Sequence, residues 1–249
     1  MTNYDVPINN SAGRLVFLLK KAIENGSKTK DKLYISAICE ALGLTNNPTN
    51  RAESFSKLFY LIHQLEIDLS LLSPTKIKNH KETITQLKQI ISCGFTNKFA
   101  TTQHLNNDKS YIIRDLENCA DSLSDVIDLK VVEEEELVKL VGEIDGLYQT
   151  INSSDIGKDL KFLLLKKLTA LKEVLENYQF QGSDGIKREI ENIMGSIAIN
   201  NDKVRTDEEK GLVMKVFELL RTLITTASAA KNLLPENIVE IGQNFLPPS

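Results

Sequence analysis

The sequence predicts an all-α fold, a multi-helix antiparallel bundle of roughly nine to ten helices. Three observations support this prediction. Only 12 glycines and 6 prolines occur in 249 residues, whereas sheets need many turn residues. Apolar residues recur at helical spacing nearly throughout the chain. The connections between the apolar stripes are short, which favours antiparallel neighbours packed against each other.

Four helices are predicted before residue 100. Asn10-Ser11 offers an N-cap to the first helix, and Gly26 supplies its C-terminal stop. A second, short helix covers roughly 30–42, and a loop rich in Asn and Thr follows it. Pro74 is expected just inside the start of the fourth helix or in the turn before it, and Gly94 closes that helix. The third helix presents a long apolar face, made of Phe55, Leu58, Phe59, Ile62, Leu65, Leu69 and Leu72.

Residues 95–110 show the weakest periodicity, and the net charge changes sign there. Residues 1–110 carry 14 Lys+Arg against 9 Asp+Glu, whereas residues 111–249 carry 16 against 25. We therefore predict a mildly basic helical part over 1–100 and an acidic helical bundle over 105–249. Parts of opposite charge could associate head to tail, or both could be solvated surfaces.

Beyond this boundary the helical periodicity is strong. Apolar stripes predict helices over 112–127, 137–151 and 160–175, the second led by an acidic run that suits a helix N-terminus. A turn at Gly182-Ser183-Asp184-Gly185 leads into a helix through 186–194. Thr206 caps a helix over 212–224, and a short terminal helix is predicted over 236–245.

No arrangement of residues indicates catalysis or cofactor binding. A P-loop, a dinucleotide fingerprint and the Gly-x-Ser-x-Gly motif are all absent. His63, His80 and His104 are far apart, and neither Cys-x-x-Cys nor His-Glu-x-x-His occurs. We expect no cofactor and no metal site, and we lean against an enzyme.

Cysteine usage and hydropathy favour a cytoplasmic protein. Cys39, Cys93 and Cys119 are odd in number and lie in helical patterns, which is typical of buried free thiols in a reducing compartment. The N-terminus lacks the regions of a signal peptide. No apolar run approaches the ~20 residues that cross a bilayer, so no transmembrane segment is expected.

Two other partners remain as alternatives. Residues 35–44 are similar to the first helix and turn of a helix-turn-helix, with Lys20, Lys21, Lys28, Lys30 and Lys32 available for phosphate contacts. The following loop is longer than the usual 3–4 residues. The amphipathic segment 212–234 could act at a membrane surface, but it lacks a strongly basic polar face, so burial in the bundle or in a dimer interface is the simpler interpretation.

Three stretches resemble a widespread family of uncharacterised bacterial proteins. They are Asn10-Ser11-Ala12-Gly13-Arg14-Leu15, residues 116–123 (Leu-Glu-Asn-Cys-Ala-Asp-Ser-Leu), and residues 178–186 (Tyr-Gln-Phe-Gln-Gly-Ser-Asp-Gly-Ile) followed by Gly195. The resemblance covers most of the chain in order and implies a bacterial helical protein without an established activity. Gln181 stands where the resemblance leads us to expect an arginine.

The residues of two of these stretches form a candidate interaction or structural motif. Arg14 could pair with an acid and tie down the first helix. Gly182 and Gly185 would permit a sharp turn between helices, and Gly195 a close approach of two helices. The candidate motif residues are Asn10, Ser11, Arg14, Tyr178, Gly182, Asp184 and Gly185.

Together these observations favour a non-enzymatic helical interaction protein. It would self-associate or bind a protein partner, for example as a regulator or component of a bacterial stress or defence system. The alternatives are a nucleic-acid-binding protein that uses the basic N-terminal half, and a membrane-acting effector that uses the C-terminal helices.

Overall fold

The structure, a computed structural model, describes residues 9–28, 33–96, 110–127 and 131–227. Within these ranges the chain forms nine α-helices and no β-strand. This confirms the predicted all-α, multi-helix fold. The predicted terminal helix over 236–245 lies outside the described residues.

Five of these helices belong to the first of two compact units, Met1–Ile127, called unit 1 below. They are α1 (Ser11–Ser27), α2 (Tyr34–Ala41), α3 (Pro48–Leu69), α4 (Pro74–Thr96) and α5 (Ser110–Ser124). Local sequence accounts for several helix ends. The side chain of Asn47 caps α3, and Pro48 follows at its first turn. Gly43 adopts a φ of 69° just after α2, a conformation that glycine accepts without strain.

The first helix, α1, lies at the centre of unit 1. It contacts α2, α3 and α5, and it is therefore buried on more than one face. Ala12, Leu15, Leu18 and Leu19 are each at most 1% exposed. Polar side chains at the start of such a helix are removed from water, so they need hydrogen-bond partners inside the unit.

The other four helices form a closed ring in the second unit, Asp128–Ser249, called unit 2 below. They are α6 (Glu134–Ser153), α7 (Lys158–Glu176), α8 (Tyr178–Ile199) and α9 (Asp207–Ala227). Helix α6 contacts α7, α7 contacts α8, α8 contacts α9, and α9 contacts α6. Short connections between consecutive helices make this a four-helix bundle.

The core of unit 2 follows the predicted stripes. Every one of Leu160, Leu164, Leu168 and Leu171 on α7 is at most 1% exposed. Burying one such side chain contributes about 1.5–3 kcal/mol to folding. The apolar face of α9 is buried in the same core. Among the described residues, no helix is long and apolar enough to cross a membrane.

The division between the units lies after Ile127, one helix later than the sequence predicts. Helix α5 packs against α1 and α4, so it belongs with the N-terminal helices although its charge resembles that of the C-terminal part. With α5 included, residues 1–127 carry 15 Lys+Arg against 13 Asp+Glu, a net charge of +2. Residues 128–249 carry 15 against 21, a net charge of −6. The basic excess of the N-terminal part is thus largely cancelled within its own unit.

Candidate interaction surface

The N-terminal motif lies at the buried start of α1. The Asn10 Oδ1 accepts a hydrogen bond from the backbone N–H of Gly13 at 3.0 Å, which caps the helix. The Asn10 Nδ2 donates to the carbonyl of Ala120 at 2.9 Å and to the hydroxyl of Ser124 at 3.1 Å. One fully buried side chain therefore both caps α1 and joins it to α5.

A carboxylate from α3 completes the same helix start. Asp68 Oδ2 accepts hydrogen bonds from the hydroxyl of Ser11 and, at 3.3 Å, from its backbone N–H. Ser11 is 0% exposed and Asp68 is 8% exposed. A negative charge is favourable at a helix N-terminus, where the first N–H groups lack partners within the helix.

Arg14 lies one turn further along α1 and is 3% exposed. Its guanidinium therefore belongs to the interior of unit 1 and is not available to an external partner. The ion pair with an acid stays a prediction.

Removing the Asn10 side chain should destabilise unit 1. Asn10→Ala loses the cap and leaves the Ala120 carbonyl without its Asn10 donor, so we expect a loss of about 2 kcal/mol in the free energy of unfolding. Asn47→Ala is the matched control, because Asn47 is exposed and caps α3 only locally. It should cost about 1 kcal/mol or less. Hydrogen exchange of α1 and α5 peptides measures the difference, and equal effects would contradict this role of Asn10.

The second motif lies in α8, which bends at Gly182. Gly182 has φ 58° and ψ −170°, a non-helical conformation at the fifth residue of the helix. The sequence predicts a turn over 182–185, but residues 178–181 already form a helical turn before the break. The break brings Ser183 back toward Tyr178, and their hydroxyls are 3.0 Å apart.

Tyr178 fixes the segment that precedes α6. Its hydroxyl accepts a hydrogen bond from the backbone N–H of Val132 at 2.8 Å, and all the atoms involved are buried. Tyr178 is 7% exposed and Ser183 is 1% exposed. This contact joins two segments 46 residues apart and thereby closes one end of the bundle.

Tyr178→Phe should leave the Val132 N–H buried without this acceptor. We expect unit 2 to lose about 1–2 kcal/mol of stability. Tyr148→Phe, at a half-buried position of α6, should change stability by less than about 0.5 kcal/mol. Urea unfolding followed by circular dichroism at 222 nm compares the two variants. If Tyr178→Phe were no more destabilising than Tyr148→Phe, the hydrogen bond would contribute nothing to stability.

The glycines of this motif differ in their surroundings. A Cβ built on Gly185 would lie 2.5 Å from the Cβ of Gln181 and 3.3 Å from Val174 on α7. The same Cβ on Gly195 would meet nothing within 4 Å. The close approach predicted at Gly195 therefore occurs at Gly185 instead. Asp184 is half-buried next to it.

The predicted motif residues are thus mostly interior. All except the half-buried Asp184 are buried, and those with described contacts hold helices of one unit together. A surface that meets another molecule must be built from other residues.

A polar cleft of about 350 Å³ runs between α4 and α5. Thr83, Tyr111, Arg114 and Asp115 are among the residues that line it. Asp115 also contacts the buried ring of His80, with 3.3 Å between Asp115 Oδ2 and His80 Nδ1. In the described part of the chain, no three His, Cys, Asp or Glu side chains are grouped as a metal site.

Cys119 lies one helical turn after Asp115 but is not activated as a nucleophile. Burial first, and then the nearby carboxylates of Asp115 and Asp68, together raise the pKa of its thiol to about 12. The thiol therefore stays protonated near neutral pH. Because the thiolate is the reactive form, the protonated thiol is a poor nucleophile. Cys39 is also a buried free thiol, whereas the side chain of Cys93 is outside the described part.

The lysines that could bind phosphate are engaged with groups of the same chain. Lys20 forms an ion pair with Glu117 of α5 at 2.5 Å, and Lys28 pairs with Glu24 at 3.3 Å. Lys21 lies 5.7 Å from the ring centre of Phe17. Lys30 and Lys32 lie outside the described residues. Phosphate groups would have to compete with these contacts for the lysine side chains.

Four exposed residues, each four apart and three of them apolar, form a row along α3 and into the turn after it. Phe59 is 38% exposed, Ile67 49%, and Leu71, in the turn that closes the helix, 59%. His63 lies between them and is exposed as well. These four residues are called the α3 row below. Apolar spacing predicts Phe59 on the buried face of α3, but the structure shows that it lies on this second face.

Four charged side chains of α3 and α4 are paired within the chain. Lys57 pairs with Glu53 at 2.7 Å, and Lys88 of α4 pairs with Glu66 at 2.7 Å. These two lysines are thereby engaged with carboxylates of the same unit.

Comparison of the chain with protein-family models, curated proteins and solved structures finds no match. The resemblance to a family of bacterial helical proteins therefore stays a prediction. The surface described above is argued from the geometry of this chain alone.

Proposed function

We propose that this chain is a non-enzymatic helical interaction protein that binds another protein molecule through the α3 row. The observation that carries the proposal is the exposure of Phe59 and Ile67 on one face of the 22-residue helix α3, with Leu71 exposed in the turn just after it. Single exposed apolar side chains are ordinary, whereas several of them on one face are a feature of binding sites. Phenylalanine in particular is enriched at protein interfaces.

Paired charges on α3 and α4 favour a protein over a nucleic acid as the partner. A nucleic-acid site needs a surplus of positive groups to displace counterions, whereas Lys57 and Lys88 are engaged with glutamates of the same unit. An apolar centre with polar groups at its rim is the usual composition of a protein–protein interface.

Photo-crosslinking in living cells tests this function. A photoreactive amino acid placed at position 63, in the middle of the α3 row, should give a covalent adduct with a protein. The same group at position 121, exposed on α5, is the control. A crosslinked protein specific to position 63 supports the proposal. The same products at both positions, or none at position 63, would overturn it.

A further inference from the structure

We infer that the polar cleft between α4 and α5 binds a small polar α-amino acid in its zwitterionic form. The carboxylate of the ligand would lie at Arg114, and its ammonium group at Glu82 and Asp115. This inference goes beyond the proposed function, because the residues that line the cleft belong to α4 and α5 and not to the α3 row. Three properties of the cleft lead to it: the composition of its walls, the arrangement of its charges and its size.

The two walls of the cleft are polar at positions where packed helices are usually apolar. Helix α4 contributes Asn79, Glu82, Thr83 and Gln86. Helix α5 contributes Tyr111, Arg114, Asp115 and Asn118. Both sets follow the spacing i, i+3, i+4, i+7, which places them on one face of each helix and is normally the spacing of an apolar stripe. Since every one of these side chains carries hydrogen-bonding groups, the seam suits a polar ligand.

Two contacts fix which residues face each other across the cleft. The Tyr111 hydroxyl donates to Gln86 Oε1 at 2.5 Å. Further along α5, Asp115 Oδ2 lies 3.3 Å from Nδ1 of His80. Because the partner on α4 comes earlier in the chain as the residue on α5 comes later, the two helices are antiparallel. The first contact closes one end of the cleft.

Opposite charges face each other in the middle of the cleft without pairing. The antiparallel register places Arg114 opposite Glu82, yet no ion pair joins them, and the Arg114 guanidinium has no hydrogen-bond partner among the described residues. One oxygen of Glu82 accepts a hydrogen bond from the side chain of Gln86 at 3.1 Å, and Asp115 adds a second carboxylate. A ligand with one carboxylate and one ammonium group would pair with both signs. A simple anion or a simple cation would meet a like charge.

A buried hydroxyl lies at the same level of the cleft. Thr83 is only 8% exposed, and its side chain makes no hydrogen bond with another described residue. Buried polar groups are normally hydrogen-bonded. A ligand carboxylate held by Arg114 can accept a hydrogen bond from this hydroxyl.

The size and the open end of the cleft limit the class of ligand. Its volume of about 350 Å³ lies at the lower end of the range for small-molecule sites, about 300–1,000 Å³. This is room for an amino acid rather than for a nucleotide. Asn79 and Asn118 face each other at the end away from Tyr111, where their amides can pair with a polar side chain of the ligand. L-Glutamine, which has such an amide, is therefore the first probe.

Titration of the full chain with L-glutamine, followed by ¹⁵N–¹H NMR, tests the inference. Amide resonances of α4 and α5 should shift with a dissociation constant of about 0.1–1 mM, because the cleft is open to solvent. Two analogues each lack one charge: L-glutaminamide has no carboxylate, and N-acetyl-L-glutamine has no ammonium group. Each should bind at least about tenfold more weakly than glutamine, since each loses a charge-assisted hydrogen bond.

Arg114→Gln links this selectivity to one residue. We expect it to weaken glutamine binding at least about tenfold and to bind glutamine and glutaminamide equally, because no guanidinium remains to select the carboxylate. Lys81→Gln is the matched control: it also removes one positive charge, from an exposed residue of α4 that does not line the cleft. It should leave the affinity for glutamine unchanged. Circular dichroism of both variants confirms that lost binding is not a lost fold.

The outcomes decide for or against a zwitterion site. Analogues that bind as tightly as glutamine overturn the inference, and so do equal affinities of Arg114→Gln and Lys81→Gln. The absence of any shift at about 20 mM, for glutamine and for the other common amino acids, overturns it as well. A different amino acid that binds in place of glutamine supports it only if removing either charge of that ligand weakens binding.

Discussion

Glu209→Gln is expected to lower the free energy of unfolding of unit 2 by about 2–4 kcal/mol. The Glu209 carboxylate is only 5% exposed and accepts three backbone hydrogen bonds. They come from the N–H groups of Gly157 at 3.0 Å, Arg205 at 2.7 Å and Thr206 at 2.8 Å. A glutamine keeps one acceptor oxygen, but its NH₂ group would face a backbone N–H, donor against donor.

This carboxylate joins two helix starts. The backbone N–H of Glu209 donates to the Thr206 hydroxyl at 3.2 Å, and the Thr206 N–H donates to the Glu209 carboxylate. These two hydrogen bonds form a capping box at the start of α9. The other carboxylate oxygen reaches Gly157, the residue before α7. One negative charge thus stabilises the positively polarised N-termini of both α7 and α9. Its removal should therefore destabilise both helices, and not α9 alone.

The effect should depend on pH. Burial acts to raise the pKa of Glu209, but the backbone hydrogen bonds from Arg205, Gly157 and Thr206 outweigh it, and the pKa is lowered. A carboxyl group with a lowered folded-state pKa contributes stability above its unfolded pKa of 4.5 and loses it as pH falls through the folded value. The stability difference between wild type and Glu209→Gln should therefore be full near neutral pH and shrink under acid conditions.

Glu208→Gln is the control for this experiment. Glu208 is the adjacent residue in the first turn of α9, but it is exposed. It should change stability by less than about 0.5 kcal/mol. Hydrogen exchange of peptides from α7 and α9, measured at several pH values, reports the opening free energy of both helices. A Glu209→Gln variant that opens α9 alone would show that the contact with Gly157 does not stabilise the bundle.

The sequence is sufficient for the helices and for their local caps. Helical spacing of Leu and Ile predicts the α7 stripe, and Asn10 and Thr206 are recognisable as caps because cap and helix are adjacent in the chain. The hydrogen bond that the Gly157 N–H donates to Glu209 is not predictable in this way. Gly157 lies 52 residues before it, and no local pattern encodes a bond that the packing of two helices creates.

The boundary between units illustrates the same limit. A change in net charge near residue 110 is a property of composition, whereas the division after Ile127 depends on which helix packs against which. Asn10 binds the carbonyl of Ala120 and the hydroxyl of Ser124. These long-range bonds help to attach α5 to α1 despite its acidic character.

The α3 row is predictable from the sequence. Helix α3 carries two apolar patterns, one through Phe55, Leu58 and Ile62 and another through Phe59 and Ile67. Phe59 lies four residues after Phe55, so its spacing fits the first pattern as well. A surface helix packs on its own core through an apolar stripe about 100° wide. Apolar residues outside that stripe are therefore the sequence feature that indicates a second contact surface.

Gly185→Ala is expected to destabilise unit 2 by about 3 kcal/mol, through overpacking. The added Cβ would meet the Cβ of Gln181 at 2.5 Å, well inside van der Waals contact. Because a Cβ is fixed to the backbone, Gln181 cannot move aside by changing its rotamer. The backbone turn at Gly182, with φ of 58°, brings these two atoms together, and Val174 of α7 at 3.3 Å blocks movement in the other direction.

Gly195→Ala, in the same helix, should do the opposite. Its added Cβ meets nothing within 4 Å, and alanine has a higher helix propensity than glycine by about 1 kcal/mol. We expect this variant to be more stable than wild type by up to that amount, in the same thermal or urea unfolding experiment. If both substitutions stabilised unit 2, α8 would have to be continuous through residue 182. The hydrogen bond between Tyr178 and Ser183 would then not hold the bend, because it requires the break in the helix. Opposite signs for two Gly→Ala changes ten residues apart would instead locate the bend at the Gly182–Gly185 turn.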